Sequence, residues 1–415
     1  MKRMPTTALA LASLGGLTLG LTACTQPSDG SAGEGEPLTV WIMGDSGANF
    51  EKLVAPFTTE SGVDVDVVAI PWDGIDERLT TAVASGDGPD LLQVGLSKLR
   101  TFADAGALMP LDDAIAERPA LAAKNFADGV AGEATAIEGA TVAIPWVSDT
   151  RVLFYRSDIL TEAGIDTPPA TWDELRADAA TLAARGEGQY GYYIPQWDSA
   201  LPVIMTWAQG GDILDDSGAI DFDTPEFEAA VDLYTGLYAD GSVPVNGDFD
   251  QTQGFITGVT PMLISGPYLA KSITDAAPDL EGDWAVTTVP TAETGTSLFA
   301  GSSMALWKDT PQADDALDLL EFLSDPATQV DWYEINGELP TAKAALEDPT
   351  LTGDPLVAVY SAQLADAAVL PLVPNWDGGT GADLLTALNS IALQGADRDE
   401  ALAALRESTA GVSVG

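Results

Sequence analysis

The chain has 415 residues, with 64 acidic side chains against 17 Lys and Arg, a formal charge of −47 at pH 7, one cysteine and no histidine. A surface of that sign repels nucleic acid, phosphorylated ligands and anionic lipid headgroups, although a solubility or salt adaptation accounts equally well for most of the charges. Without histidine, Ser-His-Asp and Cys-His catalysis and His-based zinc sites are excluded, so any chemistry has to rest on carboxylates, Lys, Tyr or a carboxylate-bound metal.

The chain opens with a basic pair, Lys2 and Arg3, followed by an uncharged apolar stretch from Ala8 to Leu21. That stretch is too short and too rich in small residues for a membrane span and reads as a signal peptide over residues 1–23. It ends in Leu21-Thr22-Ala23-Cys24, which resembles the bacterial lipobox and makes Cys24 the candidate lipidation site. An ordinary secretory cleavage site preceding a cysteine is the alternative. Residues 24–37, rich in Gly and Ser, read as a flexible tether. Removing residues 1–23 leaves 392, enough for about two domains, and takes the charge to −49 with the loss of Lys2 and Arg3.

The body begins with a β-rich run, Leu38-Thr39-Val40-Trp41-Ile42. Phe50, Leu53, Val54 and Phe57 follow at helical spacing, Gly62 ends that helix, and Val63, Val65 and Val67 alternate with acids as a strand does. The turn Gly86-Asp87-Gly88-Pro89 leads into a third strand, Asp90–Val94. Val142 to Phe154 is an extended apolar run interrupted by Pro145 and by Ser148-Asp149-Thr150. Thr171 suits an N-cap, with Glu174 placed to close a capping box. Later helices are predicted at about Pro225–Leu237, Asp314–Leu323 and Ala382–Leu393. Alternating strands and helices imply an α/β fold with a largely parallel sheet, and ligands in such folds gather beyond the carboxyl ends of the strands.

These segments, in order, resemble the sugar-type extracellular solute-binding proteins of ABC importers, the maltose-binding-protein-like family. The resemblance runs from Leu38 to about Gly411. It is carried by the first strand with Asp45, Gly86–Asp90, Leu153–Leu160 with Gly164, Thr171–Leu175, Phe255–Gly258, Ser265-Gly266-Pro267, Gly301-Ser302-Ser303 and Gly337–Thr341. It implies two α/β lobes, 38–148 plus 305–338 and 152–299 plus 345–415, with a ligand cleft between them. Three crossings are expected near Val147–Arg151, Ala300–Met304 and Leu339–Lys343. It also implies no cofactor, a monomer, a membrane permease with a separate ATPase as partners, and closure by a hinge.

A saccharide needs planar side-chain donors and acceptors for its hydroxyls and aromatic faces for its C–H groups. By that rule and by the resemblance, the ligand-binding candidates are Asp45, Trp72, Gln93, Asp149, Trp197, Asp198, Tyr268, Gly301 and Trp376. Asp45 and Asp198 read equally as solvated loop acids, and Trp72 equally as a cap on the sheet edge. Trp197, Tyr268 and Trp376 lie in Pro/Gly-rich loops, where function concentrates. Trp41, Trp207, Trp284, Trp307 and Trp332 read as packing, and Trp146 stays open. Ser46, Val94 and Ser97 depart from the maltose-binding pattern and point away from maltose itself. Two rivals remain: an acidic aromatic cleft suits a polyamine or quaternary ammonium ligand, and paired carboxylates are the apparatus of a glycoside hydrolase.

Overall fold

In the computed structural model the described residues are 35–414, except 45, 72–73, 128–129, 132–134 and 247–248. Among the described residues twelve strands are assigned: β1 Leu38–Met43, β2 Val65–Ile70, β3 Leu91–Gly95, β4 Ala136–Ile137, β5 Ala140–Thr141, β6 Ile144–Thr150, β7 Val152–Tyr155, β8 Met262–Ser265, β9 Ala285–Thr287, β10 Ser297–Leu306, β11 Leu339–Pro340 and β12 Ala367–Val369. A seven-stranded sheet runs β11-β6-β10-β3-β1-β2 with β12 beside β10, a three-stranded sheet runs β8-β7-β9, and β4 and β5 form a hairpin.

The sequence pattern explains the layering. Alternate residues of a strand face opposite ways. Leu38, Val40 and Ile42 pack on the helix Gly47–Ser61 through Phe50, Leu53 and Phe57. Trp41 and Met43 face the other side and meet Ile75, Leu79, Leu99, Phe102 and Trp307. β7 behaves likewise, with Leu153 in one core and Val152 and Phe154 in another. Gly62 closes the first helix in the left-handed conformation, and Thr171 with Glu174 forms the reciprocal cap expected at the helix Trp172–Ala183.

The interrupted run from 142 to 154 changes sheet at Arg151, within the stretch where the first crossing is expected. β6 ends in the seven-stranded sheet at Thr150 and β7 begins in the three-stranded sheet at Val152. β10 lies in the seven-stranded sheet, and its Leu298 packs in one core with Leu153 of β7 and Ile264 of β8. Its first residues pair with β12, and its last lie between β3 and β6. β11 pairs with β6 at Val147 and Ser148, after which the chain joins the core that holds β7 and β8. These three passages lie side by side, and two α/β lobes extend from them.

Gly301 of β10 pairs with Ser148 of β6. Its φ of +148° suits glycine, and a Cβ there would run into the carbonyl oxygen of Val147. The adjoining register shift at Ser302/Ser303 bends β10 at this point.

Candidate functional site

Arg151, the residue between the two sheets, organises the polar groups between the lobes. Its Nη1 lies 2.6 Å from Asp149 Oδ2, its Nε lies 3.8 Å from Asp198 Oδ2, and its guanidinium carbon lies 5.9 Å from the centre of the Tyr268 ring. Burial works against the guanidinium charge, but Asp149, Tyr268 and Asp198 outweigh it and hold the Arg151 pKa above its usual value. Burial pushes the Asp149 carboxyl up, against the opposing pull of Arg151. Gly266 lets the pair form. A Cβ at that position would stand 2.6 Å from Asp149 Oδ1 and 2.7 Å from Arg151 Nη1.

The bonding of this cluster is incomplete. Trp146 Nε1, Asp149 Oδ1, Thr150 Oγ1 and Arg151 Nε are all buried without a hydrogen-bond partner, and all four belong to one six-residue stretch. Buried polar atoms are paired as a rule, and orphans gathered on one segment call for an explanation.

A second polar group stands on the adjoining β11 side. Trp332 Nε1 and Asn336 Nδ2 donate to Glu338 Oε2 at 2.8 and 2.7 Å, and Asn336 also meets Ser46 Oγ at 3.1 Å and Asn49 Nδ2 at 2.9 Å. Beneath it Trp332 packs with Phe50 and Trp146, ring centres 5.9 and 5.6 Å away. Burial raises the Glu338 pKa to about 7 despite its two donors, and the nearby charge of Asp149 adds to the rise.

The sequence candidates fall into three groups. Asp149, Asp198 and Tyr268 come together around Arg151. Asp198 also accepts from the Ala200 amide at 2.9 Å, and the Tyr268 hydroxyl accepts from Ser265 at 3.0 Å. Trp197, next in chain to Asp198, is 62% exposed. Gln93, Gly301 and Trp376 are built into the framework instead. Gln93 accepts from the Met43 amide and donates to Ser302, so both ends of its amide are engaged. Gly301 meets the conformational demand described above.

Trp376, expected as a stacking ring, is fully buried in the core around β7, with Nε1 3.0 Å from Ser199 Oγ. It presents no ring face to a ligand. Asp45, Trp72 and Cys24 lie outside the described residues. Of the packing tryptophans, Trp41, Trp207, Trp307 and Trp332 are buried, as is Trp146.

Sequence reasoning missed Arg151 and Glu338 as site residues. The signal for both was present: Arg151 closes the crossing two residues after the candidate Asp149, and Glu338 stands inside the Gly337–Thr341 motif.

Two α/β lobes joined by three adjacent passages, with an unsatisfied polar cluster between them, define a protein that holds a solute between lobes. The chain belongs to the bacterial extracellular solute-binding protein family, whose model matches residues 42–330. It is 28% identical over 372 residues to a putative binding protein of Brucella abortus, spanning 87% of this chain and 89% of that one. It is 26% identical over 394 residues to the diacetylchitobiose binding protein DasA of Streptomyces coelicolor, spanning 91% and 90%. Its fold is similar to that of the sugar-binding protein MalE from Xanthomonas citri, with a TM-score of 0.79 at 27% identity over 90% of this chain and 96% of that one. The family is that of the substrate-binding components of ABC transporters.

Proposed function

We propose that this chain captures a small neutral carbohydrate between its lobes and passes it, chemically unaltered, to an ABC permease. The carrying observation is the Asp149–Arg151–Asp198 cluster, which stands beside Tyr268 with unused bonding capacity. A sugar hydroxyl both donates and accepts, so one ligand group satisfies Asp149 Oδ1 and a second satisfies Arg151 Nε. The rings of Tyr268 and exposed Trp197 supply apolar faces for sugar C–H groups. The relatives named for diacetylchitobiose and sugar binding support the same ligand class.

In this reading residues 38–148 plus 305–338 form one lobe and 152–299 plus 345–415 the other. The monomeric body is tethered to the outer face of the cell membrane through lipid on Cys24, and no catalysis occurs. The engagement of Asp149 and Asp198 with one arginine supports a binding role for both carboxyls. Among the described residues no helix is long and apolar enough to cross a membrane.

The test is a thermal-shift panel of mono-, di- and trisaccharides, amino acids, polyamines and choline. The expected result is stabilisation by a neutral saccharide, growing with the logarithm of its concentration. Stabilisation by polyamines or choline alone would replace the ligand class, since two carboxyls beside an aromatic ring also suit a cation.

A further inference from the structure

The helix Leu96–Asp104, which follows β3, touches the loop Pro374–Gly379 on the other side of the cleft. Lys98 Nζ lies 2.9 Å from Asp377 Oδ2, Ser97 Oγ donates to the same oxygen at 3.0 Å, and the Asn375 amide faces Thr101 Oγ1 at 3.4 Å. Lys98 is almost wholly buried, and its side chain keeps 10% of its exposure. The loop is rigidly held from behind. Trp376 is sunk in the core around β7, the Gly381 amide bonds back to its carbonyl at 2.8 Å, and Asn375 takes the left-handed conformation at φ 52°. Asn375 and Asp377, flanking the anchored ring, thus face the opposite lobe.

We infer that Lys98, Ser97 and Asp377 form a clasp that ties the two lobes together across the cleft, with Trp376 as its fixed post. The clasp consists of positioning residues. They touch one another across the cleft and favour the closed arrangement, so their effect on binding is exerted through the population of closed molecules. The charge balance makes the contact consequential. In a chain with 64 acids and 17 basic residues, lobes approaching each other bring mostly like charges together, and a nearly buried lysine on one lip reverses that locally. The clasp does not depend on which solute is bound.

The test is small-angle X-ray scattering of the full chain without added solute, comparing wild type with Lys98→Glu and with the exchanged pair Lys98→Glu/Asp377→Lys. The expected result is a larger radius of gyration for Lys98→Glu and a return to the wild-type value in the exchanged pair. Far-UV circular dichroism checks that each variant is folded. Should Lys98→Glu lose its fold, Asp377→Asn is read in its place, with the same rise expected. An unchanged radius in the single variant, or a rise that the exchanged pair does not reverse, overturns the clasp. Because no ligand is used, failure of the clasp leaves the carbohydrate reading untouched, and the converse holds.

Discussion

Truncating two tryptophans separates the ligand surface from the framework. Trp197 is 62% exposed and Trp376 is fully buried, although both lie in polar loops beside the cleft. A tryptophan side chain offers on the order of 200 Å². If a saccharide ring covers about 80 Å² of the exposed face of Trp197, the loss at about 25 cal/mol per Å² is roughly 2 kcal/mol, or about 30-fold in Kd. The same truncation removes little buried surface, so unfolding free energy should change by no more than about 0.5 kcal/mol. Trp376→Ala does the opposite. It empties a core site and strands Ser199 Oγ, which should cost about 3–5 kcal/mol of stability. The assays are equilibrium urea unfolding and calorimetric titration with the saccharide chosen by the thermal-shift panel. Unchanged affinity in Trp197→Ala, or unchanged unfolding midpoint in Trp376→Ala, would refute the division of roles.

Glu338 predicts a pH dependence. Its carboxyl binds a proton more tightly when folded, with the pKa raised from 4.5 to about 7. The stabilisation is therefore full below about pH 4.5, declines as pH rises towards 7 and is gone above, by at most about 3 kcal/mol. Glu338→Gln should flatten that decline and be at least as stable as wild type at pH 8; an equal slope in both proteins between pH 5 and 8 refutes the assignment. Arg151→Met leaves Asp149 and Asp198 buried without their cation and should cost about 3–5 kcal/mol in urea unfolding, with partial recovery on adding Asp149→Asn. Gly301→Ala forces a Cβ against the Val147 carbonyl at φ +148° and should lose about 2 kcal/mol or more, read as a lower thermal midpoint.

The fold was largely legible because its elements carry local signals. The β-rich run Leu38–Ile42, the Thr171/Glu174 cap and the glycine stop at Gly62 each report a short-range cause, and each appears in the structure. The site was less legible because it depends on which residues meet across long separations. Nothing local distinguishes Asp149 and Asp198, which share Arg151, from the chain's other acids. Trp376 misled for a physical reason. Its Pro/Gly-rich surroundings are those of a surface loop, but Gly381, at the start of the following helix, leaves room for the ring nitrogen, where a Cβ would stand 2.8 Å away, and the ring is fully buried. Trp197, in the less glycine-rich Gln196-Trp197-Asp198 loop, stays exposed. Arg151 was overlooked because nothing local shows that its guanidinium is buried between Asp149 and Asp198, the latter 47 residues away in sequence.

Calorimetric titration of the full chain with neutral saccharides, followed by mass spectrometry of the recovered compound, addresses the central claim most directly. The account predicts one saccharide bound per chain, recovered at its original mass, with affinity reduced about 30-fold in Trp197→Ala. Binding confined to polyamines or quaternary ammonium compounds, or recovery of a cleaved saccharide, would contradict it.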